Sequence, residues 1–216
     1  MIEVRDLVHE YSDGTVALDG VDLRVEDGEF VALVGSNGCG KTTLVRHFNA
    51  LLEPTSGSVE VNGYEASENP TQARRDVGLV FQDADSGIVG ETVENDVAFG
   101  PENLRLPKDE VEERVAEALE TVGLEGYRSK HPHLLSEGEK RRLAVAGVLA
   151  MKPDVLVADE PFSDLDYPGV RSLLSRMVEL NRDGVTLVVV THDLEKVFDL
   201  VDRVVVLEDG EVADEG

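Results

Sequence analysis

Residues 35–43 read Gly-Ser-Asn-Gly-Cys-Gly-Lys-Thr-Thr and follow directly on the apolar run Phe30-Val31-Ala32-Leu33-Val34. A short, Val-containing run without alternation has the pattern of a strand buried on both faces. Gly35, Gly38 and Gly40 then let the backbone curl with its N–H groups turned inward around a polyanion. Leu44, Val45 and Phe48 give an apolar helical face after the loop, so a helix is expected to start near Gly40 and add its positive end. In this frame Gly35, Ser36, Asn37, Gly38, Cys39 and Gly40 form a phosphate-binding loop, with Lys41 as a point charge for the outer phosphates. Thr42 and Thr43 open the helix, the Thr42 hydroxyl being placed to bind Mg²⁺. Turn chemistry alone gives no reason for Lys-Thr at this offset.

Similar apolar runs recur at 155–158, 185–190 and 204–207. Helical patterns lie between them, such as Val111, Val115, Leu119 and Val122, closed by Gly123. The class is therefore α/β with a buried sheet. Ile2-Glu3-Val4 and Val21-Asp22-Leu23-Arg24-Val25 alternate instead, with turns at Asp13-Gly14 and Asp27-Gly28, and predict a small antiparallel sheet beside the core. From about 83 to 150 strand signals give way to helical periodicity, which suggests an inserted helical lobe, with Pro101 and Pro107 bracketing a loop over 102–106.

Composition narrows the function. Asp and Glu number 45 against 20 Lys and Arg, a formal net charge of -25. Such a surface repels nucleic acid and anionic lipid, so no nucleic-acid partner is expected. The acids are spread through the folded segments and not gathered in a tail, which points to a halophilic source whose salt screens the self-repulsion. A single Cys39 excludes an internal disulfide, and the opening MIEVRDLVHEY has no charged-then-apolar leader, so a cytoplasmic location is expected. No apolar stretch approaches the roughly 20 residues needed to cross a bilayer. Any membrane role would come through a partner.

Two further motifs carry chemistry. Val155-Leu156-Val157-Ala158-Asp159-Glu160-Pro161 is a buried strand ending in two carboxylates, which alternation sends to different tasks. Asp159 can orient a Mg²⁺ shell beside Thr42, and Glu160 can accept a proton from an attacking water. Leu135-Ser136-Glu137-Gly138-Glu139 places Ser136 and Glu139 in capping-box spacing before an apolar helix, and a helix start with a serine hydroxyl and a glycine N–H is also an anion site. Lys130-His131-Pro132-His133 lacks the Cys or acid partners of a metal site and reads as a solvated loop.

The order of these motifs resembles that of the ATP-binding subunits of ABC transporters, over essentially the whole chain. The resemblance implies a P-loop NTPase fold with a RecA-like parallel core sheet (about 1–82 and 152–216), a small antiparallel β subdomain and an inserted helical lobe (about 83–151). It implies ATP and Mg²⁺ as cofactors. Tyr11 resembles the aromatic that stacks on adenine, and Gln82 the glutamine that reaches Mg²⁺ and reports to the membrane partner. Leu135 to Glu139 stands at the family signature, Ser163-Asp164-Leu165-Asp166 resembles the loop joining two subunits, and His192 the switch histidine on the γ-phosphate. Lys41, Glu160 and His192 are then the catalytic residues, and Thr42, Gln82 and Asp159 the metal ligands. Ser136 and Gly138 complete the site of a second ATP-binding subunit, identical or not, and integral membrane proteins use the motion. The work would be done at the cytoplasmic face of the membrane.

Residues 92–104 and the Lys140-Arg141-Arg142 stretch are similar to energy-coupling factor importers for metal ions or vitamins. The family signature usually has Gly and Gln where this chain has Glu137 and Glu139, so two carboxylates approach a facing nucleotide. Two other functions fit the same motifs: an ABC-type ATPase serving a soluble scaffold, as in iron-sulfur cluster assembly, and an ATP-gated interaction module without turnover. The acid surplus carries its own test. Melting temperature should climb as KCl rises from low to molar concentration, where the Debye length shrinks from about 10 Å to about 3 Å; an unchanged calorimetric midpoint would contradict salt adaptation.

Overall fold

Strand pairing follows the apolar runs. The computed structural model describes residues 1–163 and 165–216, with the Ala84 side chain left aside; Asp164, in the expected subunit-joining loop, lies outside the described residues. The chain forms two units, Met1–Leu79 with Asp154–Glu160 and Leu180–Gly216, and Val80–Pro153 with Pro161–Glu179.

The first unit holds β1 (Ile2–Glu10), β2 (Val16–Val25), β3 (Phe30–Val34), α1 (Lys41–Phe48), β4 (Ser56–Val61), β5 (Tyr64–Glu65) and α2 (Pro70–Asp76). After β6 (Val77–Val80) the chain leaves this unit, to return through β7 (Val155–Asp159), β8 (Thr186–Val190), β9 (Arg203–Glu208) and β10 (Glu211–Glu215). Strands β2-β1-β4-β5 form an antiparallel sheet, and β10-β9-β3-β8-β7-β6 a six-stranded one. In the latter β9, β3, β8 and β7 run parallel, and β10 turns back against β9. Every residue of β7 and β8 is buried, as unalternated runs require when both faces are covered.

The antiparallel sheet buries Ile2, Val4, Leu7, Leu18, Val21, Leu23 and Val25, the apolar members of the alternating segments. β1 runs further than its first alternating triplet because a bulge near Arg5 and Asp6 resets the register. Asp6 takes the left-handed conformation there, at φ 45°, and its N–H donates to Asp22 Oδ1 at 3.0 Å.

The second unit is helical, with α3 (Val93–Asn103), α4 (Lys108–Thr121), α5 (Glu137–Leu149) and most of α6 (Tyr167–Arg182). Val111, Val115 and Leu119 of α4 are buried, as their spacing predicts, and Gly123 ends the helix at φ 67°. The loop expected over 102–106 is shorter. Helix α3 continues through Pro101 to Asn103, and Leu104 N–H still reaches the Gly100 carbonyl at 3.1 Å. A proline this close to a helix end removes one backbone donor without ending the helix. At the other end of α3 the buried Asp96 carboxylate accepts the N–H groups of Val89 and Gly90 at 2.7 and 2.8 Å. Burial pushes its pKa up despite those two bonds.

Leu44 anchors α1 and is wholly buried. Replacing it by Ala removes apolar contact and leaves a cavity, so Leu44→Ala should lower unfolding free energy by about 2–5 kcal/mol in urea titration. A loss below about 1 kcal/mol would mean that α1 is not held by its apolar face.

Candidate functional site

The site is assembled by register. Leu33 of β3 and Asp159 of β7 both pair with Val190 of β8, from opposite sides. The three strands run in one direction, so their carboxyl ends align, at the edge where sheets of this class take ligands. Three segments leave from that edge: the 35–43 loop after β3, Glu160 after β7, and Thr191-His192 after β8.

Glycine is obligatory at two points of the loop. A Cβ on Gly35, at φ 151°, would stand 2.1 Å from the Leu207 carbonyl oxygen, and one on Gly40, at φ 106°, 2.4 Å from that of Ala17. Close backbone approach therefore clamps both ends of the loop. Between them Ser36, Asn37 and Gly38 are exposed, while Cys39 is buried. Helix α1 begins at Lys41, and the N–H groups of its first turn have no intrahelical partners. The Lys41 side chain is buried and turns back on the loop, donating to the carbonyls of Gly35 and Ser36 at 2.9 Å each. A third, longer contact runs from Nζ to Cys39 Sγ at 3.8 Å, so the ammonium is held among the loop's own acceptors.

Thr42 Oγ1 donates to Asp159 Oδ2 at 2.7 Å. Burial raises the Asp159 pKa and the nearby Glu160 charge adds to the rise, whereas the Thr42 bond, Arg46 and Lys41 oppose it. Glu160 follows at φ 50°, a left-handed turn that aims its side chain away from the strand alternation. It is buried, its N–H donates to the Val190 carbonyl at 2.9 Å, and its Oε1 accepts the His192 N–H at 3.1 Å. His192 Nδ1 lies 2.8 Å from the same oxygen. A carboxylate only accepts, so Nδ1 carries the hydrogen and, in the neutral ring, Nε2 is the free acceptor. The His192 side chain is 66% exposed and the Glu160 side chain 11%, so the pair reaches outward from a buried base.

Tyr11 is partly exposed, its hydroxyl 2.9 Å from Thr43 Oγ1 and its ring edge-on to His9 at 4.7 Å. The first unit thus brings together Tyr11, the 35–43 loop, Asp159, Glu160 and His192. Gln82, Ser136 and Gly138 belong to the second unit. Gln82 is exposed; its carbonyl and that of Phe81 accept from Arg141 Nη1 at 2.5 and 3.1 Å. Ser136 caps α5 in a complete capping box with Glu139. In the same unit Ile88, Glu91, His131, His133 and Lys140 line an open cleft of about 770 Å³. His131 donates through Nδ1 to the Glu91 carbonyl at 2.7 Å.

Sequence reasoning missed two supports of the site. His47 on α1 donates from Nδ1 to the Thr43 carbonyl at 2.8 Å, and its Nε2 meets His9 Nδ1 at 3.1 Å. The two rings stand 38 residues apart in the chain, a separation with no local signature. Arg141, buried on α5, is hidden in sequence between Lys140 and Arg142; its one signal is a charge on the side of α5 that also buries Val145.

A phosphate loop after a parallel strand, with an acidic pair at the end of a neighbouring strand, defines a P-loop ATPase. A family profile described as ABC transporter matches residues 18–163, and the chain belongs to that family. It is accordingly an ATP-binding chain. An ABC transporter ATP-binding protein of Halobacterium salinarum is 55% identical over 213 residues, 99% of this chain and 91% of that protein. The energy-coupling factor transporter ATP-binding protein EcfA of Methanothermobacter thermautotrophicus is 48% identical, over 100% of this chain and 70% of its own. A solved dimeric ATP-binding cassette, in a post-hydrolysis state with ADP and Pi, superposes with a TM-score of 0.91 at 31% identity, over 100% of this chain and 98% of that one. The Halobacterium relative comes from a halophile, in line with the acid surplus.

The raised pKa of Asp159 has a sign. The folded chain binds this proton more tightly than the unfolded chain does, so the ionised side chain lowers stability above the folded pKa, and the penalty vanishes as pH falls below the unfolded one. Asp159→Asn keeps an acceptor for Thr42 and removes the charge. Without nucleotide it should melt higher than the parent near neutral pH, the two converging as pH falls through the acid range. A lower melting temperature at neutral pH would reverse the assignment.

Proposed function

We propose that this chain is the ATP-hydrolysing subunit of an energy-coupling factor type importer for a metal ion or vitamin. It would work at the cytoplasmic face of the membrane, paired with a second ATP-binding subunit and with integral membrane proteins. The observation that carries the hydrolytic reading is Glu160, a buried carboxylate at the end of β7 that is bonded to an exposed His192 and adjoins the Thr42–Asp159 pair.

The loop amides and the first turn of α1 cradle the phosphates, and Lys41 exchanges its carbonyl contacts for phosphate oxygens. Tyr11 gives a flat partner to the base. Glu160 takes a proton from the attacking water, and His192, tied to Glu160 through Nδ1, presents Nε2 to the reacting phosphate region. Hydroxyl and carboxylate oxygens suit Mg²⁺, which needs few protein ligands when phosphates and water complete its shell, so Thr42 and Asp159 of the first unit would hold it. When bound, the ion neutralises charge on the phosphates.

The helix start at Ser136 and Gly138 serves the nucleotide of a facing subunit. No helix among the described residues is long and apolar enough to cross a membrane, so force is transmitted through partners. The helical lobe (about 83–151) receives them, and its cleft beside Glu91 and Lys140 offers both signs of charge to a docking segment. Arg141 ties that lobe's α5 to the Gln82 backbone, a direct mechanical link from the glutamine to the docking face.

Glu160→Gln tests the core of the mechanism. The amide keeps the shape and cannot accept the proton, so phosphate release should fall by roughly 10²–10⁴-fold while ATP binding persists and an ATP-bound dimer accumulates. Near-normal turnover in that variant would refute Glu160 as the base.

A further inference from the structure

Two carboxylates flank the start of α5, and the structure treats them differently. Glu137 is exposed and paired, with Lys140 Nζ 3.0 Å from its Oε1; the same ammonium stands 2.9 Å from Asp85 Oδ1. Glu139 turns back over the helix end. Its Oε2 accepts the Ser136 N–H at 2.7 Å and the Ser136 hydroxyl at 2.9 Å, while Ser136 Oγ accepts the Glu139 N–H at 3.3 Å. The Tyr127 hydroxyl is near enough to the Glu139 carboxylate that the carboxylate raises the Tyr127 pKa. Lys130 Nζ sits 3.6 Å from the centre of the Tyr127 ring and adds its charge at Glu139. The Ser136 backbone bond is the main reason why the Glu139 pKa lies below its ordinary value. The Ser136 N–H and hydroxyl, two of the donors at this helix start, are therefore already taken by an anion of the same chain.

We propose that Glu139 is a built-in competitor for the phosphate of the facing subunit's ATP: it fills the Ser136 N–H and hydroxyl in the resting chain and is displaced when two subunits close on nucleotide. This rests on the role given above to Ser136 and Gly138. A serine hydroxyl has one proton to donate, and a backbone amide has one, so carboxylate and phosphate cannot both take them. Their charges also repel, over a range that salt shortens from about 10 Å at 0.1 M to about 3 Å at 1 M. The displaced carboxylate has a destination, since Tyr127 and Lys130 stand beside it with a donor and a positive charge. Glutamine at this position would still close the capping box but would offer a neutral, weaker acceptor. Closure is thus gated by charge, and ionic strength sets the gate. Glu139 acts here as a positioning residue on Ser136, with no contact to the reacting atoms.

The test uses the full chain in a Glu160→Gln background, so that ATP is not consumed, and reads the ATP-dependent monomer–dimer constant by sedimentation. Adding Glu139→Gln should tighten the dimer by roughly ten-fold near 0.2 M KCl and by less than about two-fold near 2 M, because salt already screens the charge it removes. Glu137→Gln, whose carboxylate Lys140 already pairs, should leave the constant unchanged at both salts. Equal constants for Glu139→Gln and its parent at low salt overturn the proposal, and so does an equal gain from Glu137→Gln. Tyr127→Phe serves as a second variant should Glu139→Gln fold poorly. It removes the destination of the carboxylate and should weaken the dimer, most at low salt; an unchanged or tighter dimer counts against displacement. If no variant dimerises with ATP at either salt while a fluorescent ATP analogue still binds the monomer, the facing-subunit role of Ser136 falls, and this proposal with it.

Discussion

The parallel register of β3, β8 and β7 is the constraint on which the first unit depends. Val190 is the common reference, paired with Leu33 on one side and Asp159 on the other. Each strand is buried along nearly its whole length, so a slip of one residue would drive Asp159 along the strand and away from Thr42. Burial of plain Val, Leu and Ala is thus what aligns the chemistry. The 35–43 loop, the acidic pair and His192 lie far apart in sequence and meet because three apolar strands end on a common level.

Charge is handled by the same economy in both units. In the first, a buried ammonium rests against loop carbonyls and a buried carboxylate accepts a threonine proton, so neither is left bare in a desolvated place. In the second, the acidic surplus reaches the helix start of α5 itself, where Glu139 satisfies donors that would otherwise face solvent. Polar groups that serve a bound anion must have another partner when it is gone. Here these partners are internal: loop carbonyls for Lys41 and the Glu139 carboxylate for Ser136.

Much of this was legible before folding. The glycines at 35 and 40 mark the points where no side chain fits, and the structure supplies the walls, the carbonyl oxygens of Leu207 and Ala17. The unalternated runs announced β3, β7 and β8 as strands buried on both faces, whereas β9 leaves Val204 and Val206 half-buried, and the Ser136–Glu139 spacing announced the capping box. Other features had no local signal. The left-handed turn at Glu160 is imposed by its bond to Val190, not by its own preference. Pro101 reads as a helix stop until its place in the last turn of α3 is known. His9 and His47 become a pair only when β1 and α1 pack together.

By itself the sequence determined the class of chemistry, because backbone N–H groups around a polyphosphate need glycine and a following Lys-Thr, and these are local demands on residue type. It also determined the charge of the surface and the burial of the strands, which are properties of composition and period. Only the tertiary structure decided which groups are coupled: Lys41 to loop carbonyls, Thr42 to Asp159, Glu160 to His192, and Glu139 to Ser136. Hydrogen bonds reach about 3 Å, and which atoms come that close is settled by packing and register.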